Sequence, residues 1–493
     1  MVRLSALLLL AGVAALSIGS VAPPALVSES AAPGSFSAAR ARVQLERIAA
    51  RPHPVGSQAH GAVRTHIVER LQQLGIDARV TRAASCTSQV FWTHCAKVQN
   101  VVGTIVGRSS ASAILLAAHY DSVPESPGAA DAGAGVVALL ETARALRAGA
   151  ALEQSVLLLF TDAEEDGMLG AGAFVDSDPS FANVRVLLNF EARGSHGPSA
   201  LFETSPDNGA LIEAFARAVP QPVGNSFVAS LARILPNDTD ATIFRMRRTP
   251  LLNFAFADGL QNYHHASDSI HAIDYRSVQH HGEYALALTR QLASQPLANL
   301  SAQDVVFFDV LGRPVVRYPL SAARWLGLVL AVVFVLLWTY ARRQLGATAA
   351  GAWRAARSTL LAGLAAIGGA LSLHVLLAQL MPPIALVAEA KLLSLACIAT
   401  ALVPWLWLFS RGSRDTGEID VALGSLLPLA ITAVVLSWLT PGMSYVFVWP
   451  LMFGAAALFA AGGLTARCAR DLVLTLGALP GVVIGAIATY TLV

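Results

Sequence analysis

Charged side chains are scarce in this sequence, and neither sign dominates. Lys, Arg, Asp and Glu together make up 13% of the 493 residues, and the formal net charge at pH 7 is +2. An average globular chain carries about twice that charged fraction. Because basic residues are not in excess, nothing predicts a surface for nucleic acid, and we expect no nucleic-acid partner.

Cysteine is also rare. The chain has four cysteines, and none of them stands in a CxxC or Cys/His finger spacing, which argues against a zinc site held by cysteine. Cys86 and Cys95 lie close together in one short segment. A disulfide between them is expected if this part of the chain is exported, and two free thiols are the alternative.

The few charges are unevenly distributed along the chain. Up to about residue 320 they occur throughout, whereas the rest consists mostly of apolar runs long enough to span a membrane. Six such runs are Trp325–Tyr340, Ser358–Leu380, Ile384–Phe409, Val421–Leu439, Tyr445–Leu464 and Leu472–Val493. We therefore expect a multi-pass integral membrane protein in contact with lipid, with an all-α bundle of about six transmembrane helices over residues 321–493.

The loops between these runs predict the orientation of the bundle. Alternate loops carry arginines, and the loops MPP and TPGMS carry no charge. Because positive loops stay on the cytoplasmic side, the chain before Trp325 is predicted to lie outside the cytoplasm, in the periplasm of a bacterium or the lumen of a eukaryotic compartment. The arginines are Arg342, Arg343, Arg354, Arg357, Arg411, Arg414, Arg467 and Arg470.

The N-terminus gives a second, independent signal for export. Arg3 precedes an apolar run that begins at Leu4, the pattern of a signal peptide or signal anchor over residues 1–22. Pro23 suits cleavage poorly, so an uncleaved anchor is favoured. A Pro/Ala/Ser-rich linker is predicted over 23–37, a folded domain over 38–298 and a connector over 299–320.

Short apolar runs alternate with helical patterns in the 38–298 domain. This alternation predicts an α/β fold with a mostly parallel mixed sheet and helices on both faces. The predicted strands include Ile114–Ala118, Val156–Thr161, Val184–Phe190 and Pro250–Phe256, and the predicted helices include Gly133–Ala148, Met168–Asp176, Asn208–Val219 and Arg276–Ser294.

Metal-binding side chains stand just after these buried runs. The set comprises His119 and Asp121 after the first strand, Glu164 and Glu165 after the second, Glu191 after the third, Asp131 in a Gly-rich turn before a helix, and His264 in the later segment NYHHASDS. Ligands bind beyond the carboxyl ends of parallel strands, so we expect these groups to share one edge of the sheet. Acidic groups placed after buried strands are costly to desolvate unless they are paired.

Imidazoles and carboxylates are the ligands that zinc prefers, and this set is large enough for two Zn2+ ions per chain. Asp131 is best placed to bridge them, with His119 and Glu191 completing one ion and Glu165 and His264 the other. Asp121 is expected to accept the ring N–H of His119, and Glu164 is left as general base.

Five motifs carry a resemblance to a known family: HYD (119–121), GAADAGAG (128–135), TDAEEDGMLGA (161–171), NFEARG (189–194) and YHHASD (263–268). Their order and spacing resemble those of the di-zinc aminopeptidases and carboxypeptidases, a family that includes bacterial leucyl aminopeptidases, glutamate carboxypeptidase and glutaminyl cyclase. The resemblance implies the same metal ligands and the same base. It selects His264 over His265, because the family pattern is Tyr-His-Thr-x-x-Asp with the first His as ligand.

A narrower resemblance extends over most of the chain. The stretches NFEARGSHGPSALFETSP, LPNDTDATIFR and FFDVLGRPVVRYP, followed by several spans, resemble the vacuolar membrane protease and endoplasmic-reticulum metallopeptidase (Felix-ina) branch. That branch implies Glu rather than Asp at position 191. The function that the resemblance implies is a membrane-anchored zinc metallopeptidase acting on peptides or proteins, and we expect an aminopeptidase.

Three other interpretations remain open at this stage. They are a glutaminyl-cyclase-like acyltransferase with one zinc, a non-catalytic adaptor on a peptidase fold, and a transport accessory whose bundle uses the polar residues His374, Glu389 and Lys391. Substrate preference is also open, although Arg193, Asp238 and Asp240 are candidates for recognising a peptide end. The sequence does not predict an oligomeric state.

Overall fold

The computed structural model of the chain describes residues 2–88, 93–235, 238–381, 390–412 and 414–491. They divide into two units. The first consists of Val21–Val305 with Gly312–Val315, and the second consists of the N-terminal helix, Val306–Leu311 and the chain from Val316 onward.

Eleven strands occur in the described residues. In chain order, β1 to β11 are Asp77–Val80, Ala83–Ser88, Thr93–Val98, Val101–Ile105, Ser109–His119, Gln154–Thr161, Val184–Ala192, Ala200–Thr204, Leu251–Phe256, Val305–Asp309 and Val315–Pro319. Seven of them form the main sheet of the first unit, in the order β1-β4-β6-β5-β7-β9-β8.

The four central strands of this sheet, β6, β5, β7 and β9, are parallel, and antiparallel strands close it at both edges. Every residue of β6 is buried, as expected for a parallel strand covered on both faces. Leu115 of β5 lies opposite Leu157 and Leu187 of its two neighbours. The carboxyl ends of these strands therefore meet at one edge.

Nine helices accompany the described strands of the first unit or precede them. In chain order, α1 to α9 are Val2–Ser20, Ala38–Ile48, Gln58–Gln73, Gly133–Arg147, Leu169–Ser177, Gly209–Ala218, Ser226–Ala232, Asp240–Met246 and Tyr275–Ala293, of which α1 belongs to the second unit.

Helices cover both faces of the sheet. On one face Phe174 of α5 and Phe244 of α8 pack against Leu115 and Leu187. On the other, Phe254 contacts the rings of Phe215 in α6 and Tyr284 in α9. The predicted mixed α/β sheet with helices on both faces is confirmed.

The segment 23–37, predicted as a linker, instead belongs to the first unit. The Val27 and Ala38 N–H groups both donate to Oε1 of Gln279 in α9, at 3.4 and 2.9 Å. Phe36 is buried against Gly282, where an added Cβ would lie only 2.0 Å from the ring. Composition indicated a linker because these contacts depend on α9, which is distant in sequence.

Several short elements were not expected from the sequence. They are the edge strand β8, the seven-residue helices α7 and α8, and the β10–β11 hairpin in the stretch predicted as a connector. One or two turns of helix carry too few residues to display a periodic pattern.

The second unit contains six further described helices, α10 to α15: Leu320–Gln344, Ala349–Leu380, Ala390–Gly412, Glu418–Leu439, Pro441–Gly462 and Arg467–Tyr490. Five of them, all but α12, are long and apolar enough to cross a membrane. The predicted span Ile384–Phe409 begins in residues outside those described, and its apolar described part is Ala396–Gly412.

Apolar side chains lie both inside and outside this helical unit. Leu330 and Phe334 of α10 pack with Leu426 of α13 and Val448 of α14. Val332 and Leu336, on other sides of α10, are exposed. Exposed apolar surface of this extent suits a lipid environment, so these helices identify a membrane protein. Helix α1 packs against α15 within the unit.

Candidate metal centre

The site lies at the carboxyl edge of the parallel strands, as the sequence predicts. His119 is the last residue of β5 and is paired in register with Thr161, the last residue of β6. Glu164 and Glu165 follow β6, and Glu191 is the penultimate residue of β7. The strand ends thus place one imidazole and three carboxylates beside one another.

One group of side chains forms around His119. Its Nε2 atom lies 3.2 Å from Oδ1 of Asp131 and 3.5 Å from Oε2 of Glu191. All three side chains are buried. We call His119, Asp131 and Glu191 the inner cluster.

A second group forms around His264. Its Nε2 atom lies 3.1 Å from Oδ2 of Asp131 and 3.1 Å from Oε2 of Glu165. The His264 side chain remains 37% exposed, compared with 1% for His119. We call Asp131, Glu165 and His264 the outer cluster. Asp131 belongs to both clusters and offers a different oxygen to each.

Within each cluster, one atom from every side chain lies within 4.8 Å of the others, which is close enough for three ligands of one ion. A third combination, His119 with Glu164 and Glu165, meets the same distance. Glu164 therefore stands beside both clusters without belonging to either.

Asp121 contacts His119 mainly through its backbone carbonyl, whereas a contact through its carboxylate was expected. The ring Nδ1–H of His119 donates to the backbone carbonyl of Asp121 at 3.0 Å, while the Asp121 carboxylate lies 3.6 Å away. That carboxylate accepts the N–H groups of Glu164 and Glu165 at 3.1 and 3.2 Å. Asp121 thus fixes the imidazole through its main chain and the two glutamates through its side chain.

The proton affinities reflect the crowding of like charges. Burial, reinforced by Asp131, raises the pKa of Glu165 to about 7. Burial also raises the pKa of Glu164 well above its ordinary value, with Glu191 and Asp240 adding to the effect. Carboxyl groups shifted in this direction are stabilised in their charged form when a cation binds beside them.

The two imidazoles show the complementary effect. Burial lowers the pKa of His264, but its contacts with Asp131 and Glu165 outweigh burial and raise the pKa to about 9. The same contacts from both histidines hold the pKa of Asp131 at about 2 against the effect of burial. Positive charge is favoured at both clusters.

Several supporting residues were not assigned from the sequence. The Asp268 carboxylate accepts the N–H groups of Ala130 and Asp131, at 2.8 and 3.2 Å, and so fixes the turn that carries Asp131. Asp268 lies four residues after His264, inside the motif YHHASD, and that spacing was the available signal.

Glu191 is held by residues of its own strand and of α9. Asn189 Nδ2 donates to Glu191 Oε1 at 3.0 Å, and His281 Nε2–H donates to the Glu191 backbone carbonyl at 2.8 Å. Burial lowers the pKa of His281 to about 3, so the ring is neutral at pH 7. Nothing in the local sequence pattern distinguishes His281 from an exposed histidine.

A cavity of about 220 Å3 opens over the two clusters. Its lining includes the candidate recognition residues Arg193 and Asp238 together with Tyr263, whose ring stacks on His264 with centroids 3.8 Å apart. Asp240 does not line it, because its carboxylate is fully buried and accepts a hydrogen bond from Thr161. His265 is exposed and contacts Ser267 instead of either cluster.

Two further expectations concern residues away from the clusters. Cys86 and Cys95 lie directly opposite each other in the β2–β3 hairpin and form a disulfide. Glu389 and the side chain of Lys391 lie outside the described residues. The transport role that was based on them and on His374 therefore stays a prediction.

Residues 100–289, which contain both clusters, match the profile of Peptidase family M28. We call this matched stretch the M28 domain. All seven residues predicted as ligands, base or orienting group fall inside the matched M28 segment.

The chain is also similar to longer curated proteins. Endoplasmic reticulum metallopeptidase 1 of Mus musculus is 30% identical over 326 residues, which cover 62% of this chain and 36% of the relative. The vacuolar membrane protease of Candida dubliniensis is 29% identical over 306 residues, which cover 60% and 32%. The chain thus spans about a third of the length of these curated relatives. The predicted branch resemblance is confirmed.

A solved zinc aminopeptidase from Bacillus subtilis aligns with 54% of this chain and 97% of its own, at 16% identity and a TM-score of 0.42.

Proposed function

We propose that this protein is a membrane-anchored, zinc-dependent exopeptidase, and that it acts as an aminopeptidase. The observation that carries the proposal is the convergence of two three-residue clusters on the two oxygens of Asp131. The matched family and the metallopeptidase relatives support hydrolysis of peptide bonds.

The donor set fits zinc. Two imidazole nitrogens and three carboxylates converge within a few ångströms, and nitrogen and oxygen donors of this kind suit Zn2+. Glu165 also has a buried Oε1 atom without a hydrogen-bond partner, as expected for an atom that faces a cation. The inner cluster would hold one ion and the outer cluster the other. Bound zinc supplies Lewis acidity, which lowers the pKa of water and polarises a carbonyl group.

Glu164 is the general base in this proposal. It lines the cavity beside both clusters, and its backbone is held by the Asp121 carboxylate. From there it takes a proton from the attacking water and returns it to the nitrogen of the departing amine. Burial raises the pKa of Glu164, and cations bound in the two clusters would favour the charged carboxylate that accepts a proton.

The size of the cavity supports cleavage at a chain end. About 220 Å3 is less than the roughly 300–1,000 Å3 of pockets that enclose drug-sized ligands. A terminal residue fits such a space better than the middle of a long peptide. The choice of the amino over the carboxyl terminus rests on the family resemblance.

We further propose that the M28 domain lies outside the cytoplasm. The arginines at the helix ends that flank the α10–α11, α12–α13 and α14–α15 connections would face the cytoplasm. The Cys86–Cys95 disulfide supports this side, because disulfides persist in oxidising compartments.

The decisive experiment uses the full-length protein in detergent, with Glu164→Gln as the control. We expect two zinc ions per chain in both proteins. Wild type should release N-terminal residues from free peptides but not from N-acetylated peptides, and E164Q should be slower by about 10²- to 10⁴-fold.

Other outcomes would replace the proposal. One zinc with formation of pyroglutamate would establish a cyclase, and release from the carboxyl end would establish a carboxypeptidase. A folded protein with neither zinc nor turnover would be an adaptor.

A further inference from the structure

The cavity over the clusters contains one positively charged side chain. Among its described lining residues are five carboxylates, and Arg193 is the only Lys or Arg. Arg193 follows Glu191 by two residues, just beyond the end of β7. A cation surrounded by acidic groups would ordinarily form an ion pair with one of them.

Arg193 forms no such pair within the described part of the chain, where no carboxylate oxygen lies within 4.0 Å of its guanidinium. Its Nη2 group donates to the backbone carbonyl of Asp238 at 3.2 Å. The guanidinium also lies over the ring of Tyr263, 5.8 Å from its centroid. The side chain is therefore held by one hydrogen bond and by its contact with the tyrosine ring.

The remaining donors are therefore available to a ligand. A guanidinium has five N–H groups in a planar fork that matches the two oxygens of a carboxylate. Tyr263 stacks in turn on His264 of the outer cluster, so Arg193 stands two ring contacts from a proposed metal ligand.

We propose that Arg193 is a specificity-determining residue that binds a carboxylate of the substrate close to the scissile bond. The inference rests on the proposed peptidase function and adds a substrate class to it. The carboxylate has two chemical sources, namely the C-terminal α-carboxylate of a short peptide or the side chain of an acidic residue beside the cleaved bond.

The test compares matched substrates on the full-length, zinc-loaded protein. Leu-Ala against Leu-Ala-amide isolates the terminal carboxylate, and Leu-Asp-amide against Leu-Asn-amide isolates the side chain. Arg193→Gln removes the charge. Arg185→Gln is the control, because Arg185 is exposed near the start of β7 and, among the described residues, donates to the backbone carbonyls of Ala182 and Val184.

We expect wild type and R185Q to prefer the carboxylate substrate in one of the two pairs by about 10- to 100-fold in kcat/KM, the effect of a charge-assisted hydrogen bond. In R193Q that ratio should fall to about one. A wild-type ratio of about one in both pairs, or an unchanged ratio in R193Q, would overturn the inference. Arg193 would then have only a structural role, through its hydrogen bond to the Asp238 carbonyl.

A binding measurement keeps the inference separate from the proposed function. Calorimetry with the reduced-bond analogues of the same four dipeptides requires no turnover. If no peptide is hydrolysed but wild type binds a carboxylate analogue more tightly than its neutral partner, and R193Q does not, the proposed function fails and carboxylate recognition stands. If no peptide is hydrolysed and neither protein discriminates, both proposals fail. If peptides are hydrolysed and neither protein discriminates, only the inference about Arg193 fails.

Discussion

The inner and outer clusters share Asp131 but are built from different kinds of structure. In the inner cluster, His119 and Glu191 belong to neighbouring parallel strands and are buried. In the outer cluster, Glu165 and His264 lie in loops after β6 and β9, and His264 is 37% exposed. The sheet therefore fixes one half of the centre, whereas the other half depends on loop contacts.

The largest expected effect is on stability, when the imidazole of each cluster is removed in turn. His119→Ala leaves Glu191 buried without an imidazole partner and leaves Asp131 with His264 alone. We therefore expect unfolding to become easier by about 3–5 kcal/mol, together with loss of zinc. His264→Ala should cost less stability, because the His264 side chain is 37% exposed and water can take its place beside the two carboxylates. Chemical denaturation and zinc analysis measure both effects.

His265→Ala is the matched control for this pair, since His265 is exposed beside His264 and contacts neither cluster. Equal losses of stability in H119A and H264A would contradict the distinction between a sheet-bound and a loop-bound half.

The next largest effect is the loss of folding stability at acid pH that we expect from His280. This residue lies in α9, the helix that also supports the inner cluster. His280 accepts the Ser199 N–H at Nδ1 and donates from Nε2–H to the Gln221 carbonyl, at 3.1 and 3.0 Å, so the neutral ring fits both partners. Burial lowers its pKa from 6.5 to about 4. Below pH 6.5 the unfolded chain binds a proton at this position that the folded chain does not bind.

Stability should therefore fall as the pH drops from 6.5 towards 4, by up to about 3 kcal/mol for His280. Thermal unfolding at several pH values measures the loss. His280→Gln keeps a polar side chain but does not titrate, so its stability should depend less steeply on pH across this window. Parallel curves for the two proteins would show that His280 does not contribute.

The smallest effect acts on both halves together. Asp268→Asn weakens the hold on the Ala130–Asp131 turn, and we expect zinc affinity to fall by about 10- to 100-fold, as for other residues that orient a ligand. Competition with a chelating dye measures this affinity, with the exposed Asp77→Asn as control. A loss confined to one of two zinc ions would show that Asp131 is not shared.

The difference between the two clusters also explains which site residues could be predicted from the sequence alone. His119, Glu164, Glu165 and Glu191 follow buried apolar runs, and parallel pairing brings such positions to one edge. His264 lies in a loop beside another histidine, and it was selected by family resemblance. Sequence pattern defines strand ends but not loop conformations.

The supporting contacts were harder to predict for a related reason. Asp268 acts on backbone N–H groups, and a residue that binds backbone leaves no complementary side chain in the sequence. The segment 23–37 folds onto Gln279 and Gly282, more than two hundred residues away. Contacts of this kind depend on the assembled fold.

We propose that the two clusters hold two zinc ions beside one shared aspartate. Anomalous diffraction at the zinc edge from crystals of the full-length protein tests it most directly. We predict two peaks, one against His119 and Glu191 and one against Glu165 and His264, both beside Asp131. A single peak, or peaks away from these residues in a zinc-saturated crystal, would contradict the account.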